Sequence, residues 1–347
     1  MSLVALLCES DPMSAPPGIR RRFEHISKWL ESQGIDFNVH VVGTKENPGG
    51  HVARIRAVRA AESRIARDML EYDAVVVLGL GAVHMQWLAS RLARRGVSVV
   101  FDSCDSWIGQ LTARLSTSRK LLAIPSVCGV ILQWMSTRRF AVSYISQGDL
   151  ARDNCLNRKR YAGVIPPNAP RSLATLPRMQ QGKLSRVVIA ADFDSFHVKS
   201  GVASIVAVWP EFHNSHPHIR LELYGVGKRP SLLRGFVDRG YAPSLADVYA
   251  GNTLVFVPNA AGSGIPNKVV EGVIARRPLL MHESMARHVV PHSWISTYTS
   301  PTTLLDALRE SASREYGEAV EIMELKPQER EFDLMSFILD ARIRRTI

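Results

Sequence analysis

Cysteine is scarce. Cys8, Cys104, Cys128 and Cys155 are the whole complement of the 347-residue chain, widely spaced and without a Cys-x-x-Cys pair. Such spacing suits neither a disulfide framework nor a zinc cluster and points to reduced thiols in the cytosol. Long hydrophobic runs are lacking too: the most apolar stretch, LLAIPSVCGVILQWM, contains Pro125 and Gln133 and falls short of the ~20 residues needed to cross a bilayer. The opening MSLVALLCESDP has no basic leader and reads as a first buried strand, so the expected location is cytoplasmic. There is no internal repeat or low-complexity tract, and no recognition-helix motif, zinc spacing or aromatic-plus-basic strand signature. The net charge of +11 therefore has no nucleic-acid-binding motif to match it, and no nucleic-acid partner is expected. The last absence is local. From residue 106 to residue 148 there is no acidic side chain, whereas Arg114, Arg119, Lys120, Arg138 and Arg139 flank the apolar run. That combination suits an interfacial element, at the inner face of a membrane, or one that faces an acceptor.

What is present is an ordinary globular composition, 46% hydrophobic and 22% charged, at a length that favours two cores over one. Short strands rich in Val and Ile (LVALLC, DFNVHVV, AVVVLGL, VSVVFD, AVSYIS) alternate with amphipathic stretches at residues 18–33, 52–71 and 83–95. After IPPNAP comes a polar, proline-bearing stretch, and the alternation restarts with RVVIAA, IRLELYG, TLVFVP and PLLMH. The pattern predicts an α/β protein of two doubly wound, Rossmann-like domains, 1–166 and 185–328, joined by a linker at 167–184 and facing across a ligand cleft. A helix at about 329–347 would return to the first domain.

The richest segment is GSGIPNKVVEGVIARRP, beginning at Gly262. A small-residue loop follows an apolar strand and opens a helix carrying Lys268 and Glu271, which places backbone amides, a helix N-terminus and an ammonium where a diphosphate would rest. Lys199 and Lys268 are the candidate counter-charges: a departing nucleoside diphosphate gains negative charge, so fixed cations stabilise the transition state more than the ground state, and no metal is required. Strand ends supply the other candidates. Asp102 and Asp105 flank Cys104 after VSVVFD, and Asp105, further into the loop, would orient an acceptor hydroxyl unless it caps the next helix. His84 follows the turn at residues 79–81 and would contact sugar or acceptor; Trp107 would stack on a sugar ring or anchor in lipid headgroups. Gly18, after two prolines, opens a helix whose loop would bring N–H groups to donor or acceptor, and Arg20, at the helix start, is favoured over Arg21 and Arg22 to face the cleft.

In order and spacing, PPGIRRRF, FDSCDSW, YIS, IPPNAP, VWPEF, LYGVG, GFV and the Gly262 segment resemble the GT-B fold glycosyltransferases, in particular the large retaining group often called family four, with polysaccharide-cluster sugar transferases the nearest likeness. The resemblance implies transfer of a sugar from a UDP- or GDP-linked donor, used as substrate without a cofactor, to a glycan, lipid-linked or natural-product acceptor, with retained configuration. The departing phosphate would take the acceptor proton in a front-face path, and domain closure about residues 166–184 would assemble the site. It further implies donor contacts from Gly18, Arg20, Gly225, Val237, Ser263, Gly264, Ile265, Pro266, Asn267 and Lys268, with Glu271 on the ribose hydroxyls. Two departures stand out: Ser263 occupies the place of a customary first glutamate, and Ala191-Asp192 that of a customary Gly-Arg on the diphosphate. Asp192-Phe193-Asp194 also allows a metal-binding Asp-x-Asp reading of the other major glycosyltransferase fold. A sugar-nucleotide epimerase of the same fold, or a basic nucleic-acid-binding protein, are the alternative functions.

Overall fold

The alternation of apolar runs and amphipathic stretches becomes an alternation of strands and helices. The structure, a computed structural model, describes residues 3–15, 17–42, 51–79, 82–115, 124–135, 140–157, 161–165, 167, 171–231, 233–260, 264–316, 323–325 and 332–338. They divide into two units, residues 1–167 with 328–347, and residues 168–327.

The first unit runs β1 (Leu3–Cys8), α1 (Pro17–Ser32), β2 (Asp36–Val41), α2 (His51–Met69), β3 (Ala74–Leu78), α3 (Val83–Arg94), β4 (Val99–Cys104), α4 (Trp107–Leu115), α5 (Ile124–Met135), β5 (Ala141–Tyr144), α6 (Gln147–Arg152) and β6 (Ala162–Val164). Its six strands are parallel, in the order β2-β1-β3-β4-β5-β6. Successive side chains of β1 enter opposite cores: Ala5 and Leu7 join Val75, Val77 and Phe101 on one face, and Val4 and Leu6 join Val76 and Val100 on the other. A sheet covered on both faces accounts for the nearly unbroken Val and Ile of its strands. Phe332, Leu334 and Ile338 complete the second of these cores, and the Phe332 N–H donates to the Val164 carbonyl at 2.9 Å.

The second unit contains α7 (Arg171–Ala174), β7 (Arg186–Asp192), α8 (Phe196–Ser215), β8 (Arg220–Val226), β9 (Phe236–Gly240), α9 (Leu245–Tyr249), β10 (Thr253–Val257), α10 (Asn267–Ile274), β11 (Leu279–His282), α11 (Glu283–Ala286), β12 (Ile295–Tyr298) and α12 (Pro301–Ser313). Its parallel sheet is ordered β12-β11-β10-β7-β8-β9. The stretch whose polarity suggests a linker is packed onto this unit from residue 171 onward. Leu173, Met179 and Leu184 are buried, and the buried Arg277 guanidinium donates to the Pro177 carbonyl at 2.7 Å. Among the described residues no helix is long and apolar enough to cross a membrane.

Candidate functional site

In the second unit the strand order reverses direction between β7 and β10. Loops leaving these two strands turn to opposite faces, which opens a crevice at their carboxyl ends, the usual seat of a ligand in such sheets. Helices α8 and α10 both begin there. α8 lies hard against the end of β10: a Cβ on Gly201 would stand 2.1 Å from the Pro258 carbonyl oxygen.

Lys268 is the second residue of α10, and its Nζ donates to Asn259 Oδ1 at 3.0 Å, just beyond the end of β10. Burial pulls its pKa down to about 8, with the Glu271 carboxylate working in the opposite direction. An ammonium held this way lacks an anionic partner at ion-pair distance among the described residues and favours an anionic ligand. Pro266 occupies the cap position of α10 and offers its first turn no side-chain acceptor; its carbonyl takes the Val269 N–H at 2.9 Å, and the N–H groups of Asn267 and Lys268 add to the Lys268 charge. Asn267 and Pro266 are half-buried beside it, as is Gly264. Ile265 is turned into the core with Val269 and Val273 and presents backbone only. Gly262 and Ser263 lie outside the described residues.

Glu271, one turn further, is buried and accepts a hydrogen bond from Tyr249 Oη at 2.7 Å. Lys199 is exposed in the first turn of α8. Asp192 and Asp194 tie the β7–α8 turn together and lean toward β8: Asp192 Oδ1 accepts from the Asp194 N–H at 3.1 Å, and Asp194 Oδ1 from the Lys228 N–H at 3.3 Å. Both carboxylates thus serve the β8 side of β7, away from β10 and α10. Among the described residues no three His, Cys, Asp or Glu side chains converge as a metal-holding group.

Two residues expected at the donor have other tasks. Val237 is paired with Glu222 low on the sheet, four residues before the end of β8 at Val226. At about 3.3 Å per residue it lies roughly 13 Å from the carboxyl edge. Gly225 does lie at that edge, and what it meets is β7: its φ is +124°, and a Cβ there would stand 1.9 Å from the Ala191 carbonyl oxygen. Gly225→Ala is expected to cost about 2–3 kcal/mol in urea unfolding, from backbone strain and steric clash together.

In the first unit the reversal falls between β1 and β3. His84, at the start of α3, is buried with Nε2 3.0 Å from Glu9 Oε1, which follows β1, and Glu9 also lies 3.3 Å from Arg54 Nη1. Gly18 is the second residue of α1. Arg20 is exposed, its Nε 3.2 Å from Glu24, and it is Arg22 that turns inward. Arg22 Nε and Nη2 donate to the two oxygens of Asp102 at 2.9 and 2.6 Å, and Nη1 donates to the Ile165 carbonyl at 2.8 Å. Ser143 Oγ adds a third hydrogen bond to Asp102 at 2.8 Å. Burial works against the Arg22 charge, yet Asp102 holds its guanidinium above the usual range. Asp102 is fully buried in this pair, which removes it from the acceptor-facing set.

Cys104 sits at φ 62°, in the left-handed region, and directs the chain out of β4 into the Asp105 turn. The Asp105 pKa is pushed up to about 7, by burial first and by Asp149 second, with Arg22 pulling it down and Asp102 adding to the rise. Capping of α4 falls to others: Ser106 Oγ accepts from the Gly109 N–H at 2.8 Å, and Asp153 accepts from the N–H groups of Trp107 and Ile108 at 2.9 and 3.1 Å. Asp105 is thereby left outside the cap. Trp107 is fully buried, its ring against Gly129 of α5, and reaches neither a sugar nor a lipid surface. Arg22, Asn259, Tyr249 and Glu9 are the partners missed by sequence reasoning; of these only Arg22 has a local signal, since it shares the spacing of the buried Ile26 and Leu30.

No family model matches the chain, and no curated protein matches it in sequence. Solved structures do. One described as trehalose-6-phosphate from E. coli bound with UDP-2-fluoro glucose gives a TM-score of 0.58 at 12% identity, covering 99% of this chain and 96% of that one. Anabaena Alr3699/HepE in complex with UDP and glucose gives 0.56 at 12% identity, over 88% and 89%. Os79 from O. sativa in complex with UDP gives 0.50 at 13% identity, over 89% and 91%. At such identities the likeness speaks to architecture: the chain has the two-Rossmann GT-B fold.

Proposed function

We propose that the chain is a glycosyltransferase that takes a sugar, a hexose or close relative, from a nucleoside diphosphate donor, with the diphosphate at the start of α10 and its charge met by Lys268. The observation that carries this reading is the enclosed Lys268 ammonium, held by neutral Asn259 at the strand reversal of a fold whose structural neighbours are described with UDP and UDP-sugars. Lys199, on the adjoining helix, would supply long-range positive potential. Glu271 would meet the ribose hydroxyls by exchanging its Tyr249 hydrogen bond. Transfer with retention and without a metal follows if the leaving phosphate takes the acceptor proton and the two lysines offset its growing charge. Asp105, raised toward neutrality, would orient the hydroxyl of a glycan, lipid-linked or natural-product acceptor.

Release of nucleoside diphosphate from a panel of UDP- and GDP-sugars tests the reading. Lys268→Ala is expected to lower kcat/KM about 100-fold or more, and Glu271→Ala to act mainly through KM. Unchanged turnover in both variants would overturn the assignment. The lysine also sets a pH dependence. With a pKa of about 8 in the free protein, raised once an anion is bound, Lys268 is charged and binding is full below that value. UDP affinity measured by calorimetry should fall up to about tenfold per pH unit above it, and a flat profile between pH 7 and 10 would contradict this.

A further inference from the structure

Helix α5 is apolar on its outer side. Its inward face is Ser126, Gly129 and Gln133, with Gly129 pressed so closely on the Trp107 ring that a Cβ would stand 2.3 Å away. Its outward positions are Ile124, Val127, Cys128, Ile131, Trp134 and Met135. These recur at helical spacing along one stripe, and four of them are about half exposed or more: Ile124 at 56%, Ile131 at 48%, Trp134 at 63% and Met135 at 61%. Leu115, at the end of the adjacent α4, is exposed as well. A helix that serves only its own domain places such residues inward; an exposed apolar row of this size marks a docking surface.

The surroundings identify the partner. In the sequence, residues 106–148 contain five Lys or Arg and no Asp or Glu; of the five, Arg119, Lys120, Arg138 and Arg139 lie outside the described residues. Helix α3 packs against both α5 and α2, and α2 presents Arg56, Arg59, Arg64 and Arg67 to solvent against a single exposed acid, Asp68. One helix layer of the first unit thus carries an apolar row and an arginine row. A protein partner would need an apolar face matched by acids over a similar span; an anionic bilayer supplies both over any area. We propose that this layer docks on a membrane surface bearing anionic phospholipids, the α5 row entering the boundary between headgroups and acyl chains and the α2 arginines meeting the phosphates. The proposal is independent of the sugar-transfer reading and survives its failure.

Co-flotation of the full chain with phosphatidylcholine vesicles containing about 30% phosphatidylglycerol, against pure phosphatidylcholine, tests it. Binding is expected to the anionic vesicles and to weaken with salt. Ile131→Glu with Trp134→Glu, at exposed positions that leave the core intact, should weaken it about tenfold or more. Arg56→Glu with Arg59→Glu should remove most of its salt-sensitive part. Circular dichroism and melting of the variants should match the parent. No flotation with anionic vesicles, or flotation unaffected by the α5 pair, overturns the proposal. So does a concentration-dependent dimer in sedimentation velocity that the α5 pair abolishes without any vesicle binding, since a second copy of the chain would then cover the row.

Discussion

Lys268→Met is expected to raise the melting temperature while removing UDP binding. Holding the ammonium with a pKa near 8, where the unfolded chain would show 10.5, sets a cost on the charged folded state. At pH 7 the side chain is charged in both states, so that cost is fully present; it is relieved as pH rises from 8 toward 10.5. The full shift corresponds to about 3 kcal/mol, and with part of the side chain still open to water about 1–3 kcal/mol is the realistic gain for an apolar replacement of similar length. In a unit of this size that is a rise of about 2–10 °C. The gain over wild type should shrink at pH 10. A lysine with a purely structural role would behave oppositely, its loss lowering the melting temperature. Stability surrendered for an unneutralised cation is the pattern of a binding site.

Arg22→Ala is expected to destabilise the first unit by about 3–5 kcal/mol, as removal of one partner from a buried ion pair does. The carboxylate of Asp102 is fully buried, and two of its three hydrogen-bond donors among the described residues, the Nε and Nη2 groups, come from Arg22. Without them the Ser143 hydroxyl is the one donor of the three that remains, leaving the charge to be neutralised or exposed. Arg22→Met with Asp102→Leu should recover much of the loss, because the desolvated charges vanish together. Urea unfolding of the single and double variants measures both. Equal losses in Arg22→Ala and Arg20→Ala would contradict the placement, since Arg20 forms an exposed pair worth at most about 1 kcal/mol.

The contrast between those two arginines shows what the sequence could convey. Arg22, Ile26 and Leu30 lie four residues apart on one face of α1, and all three are buried, so the spacing held the answer that proximity to the loop obscured. Strands with unbroken Val or Ile, such as β3 and β7, were legible because a two-sided buried sheet demands such runs. β6 is three residues long and β9 carries Asp238 and Arg239, so neither offers a hydrophobic signal. The α10 segment was legible because loop, helix start and lysine are local to one another. The positions of Trp107 against Gly129 and of Lys268 against Asn259 depend on how distant elements pack, which no local pattern encodes. The same holds for α5, whose composition indicates an apolar, interfacial element but whose outward orientation depends on Gly129 packing against the Trp107 ring.

The diphosphate of the donor is expected to lie at the start of α10. A crystal of the full chain soaked with UDP locates it directly. The expected result is density for the two phosphates within hydrogen-bond reach of Lys268 Nζ and of the first-turn N–H groups of α10, with the Lys268–Asn259 contact loosened or shared. Phosphates seated elsewhere, with Lys268 still turned to Asn259 and the start of α10 unliganded, would contradict it.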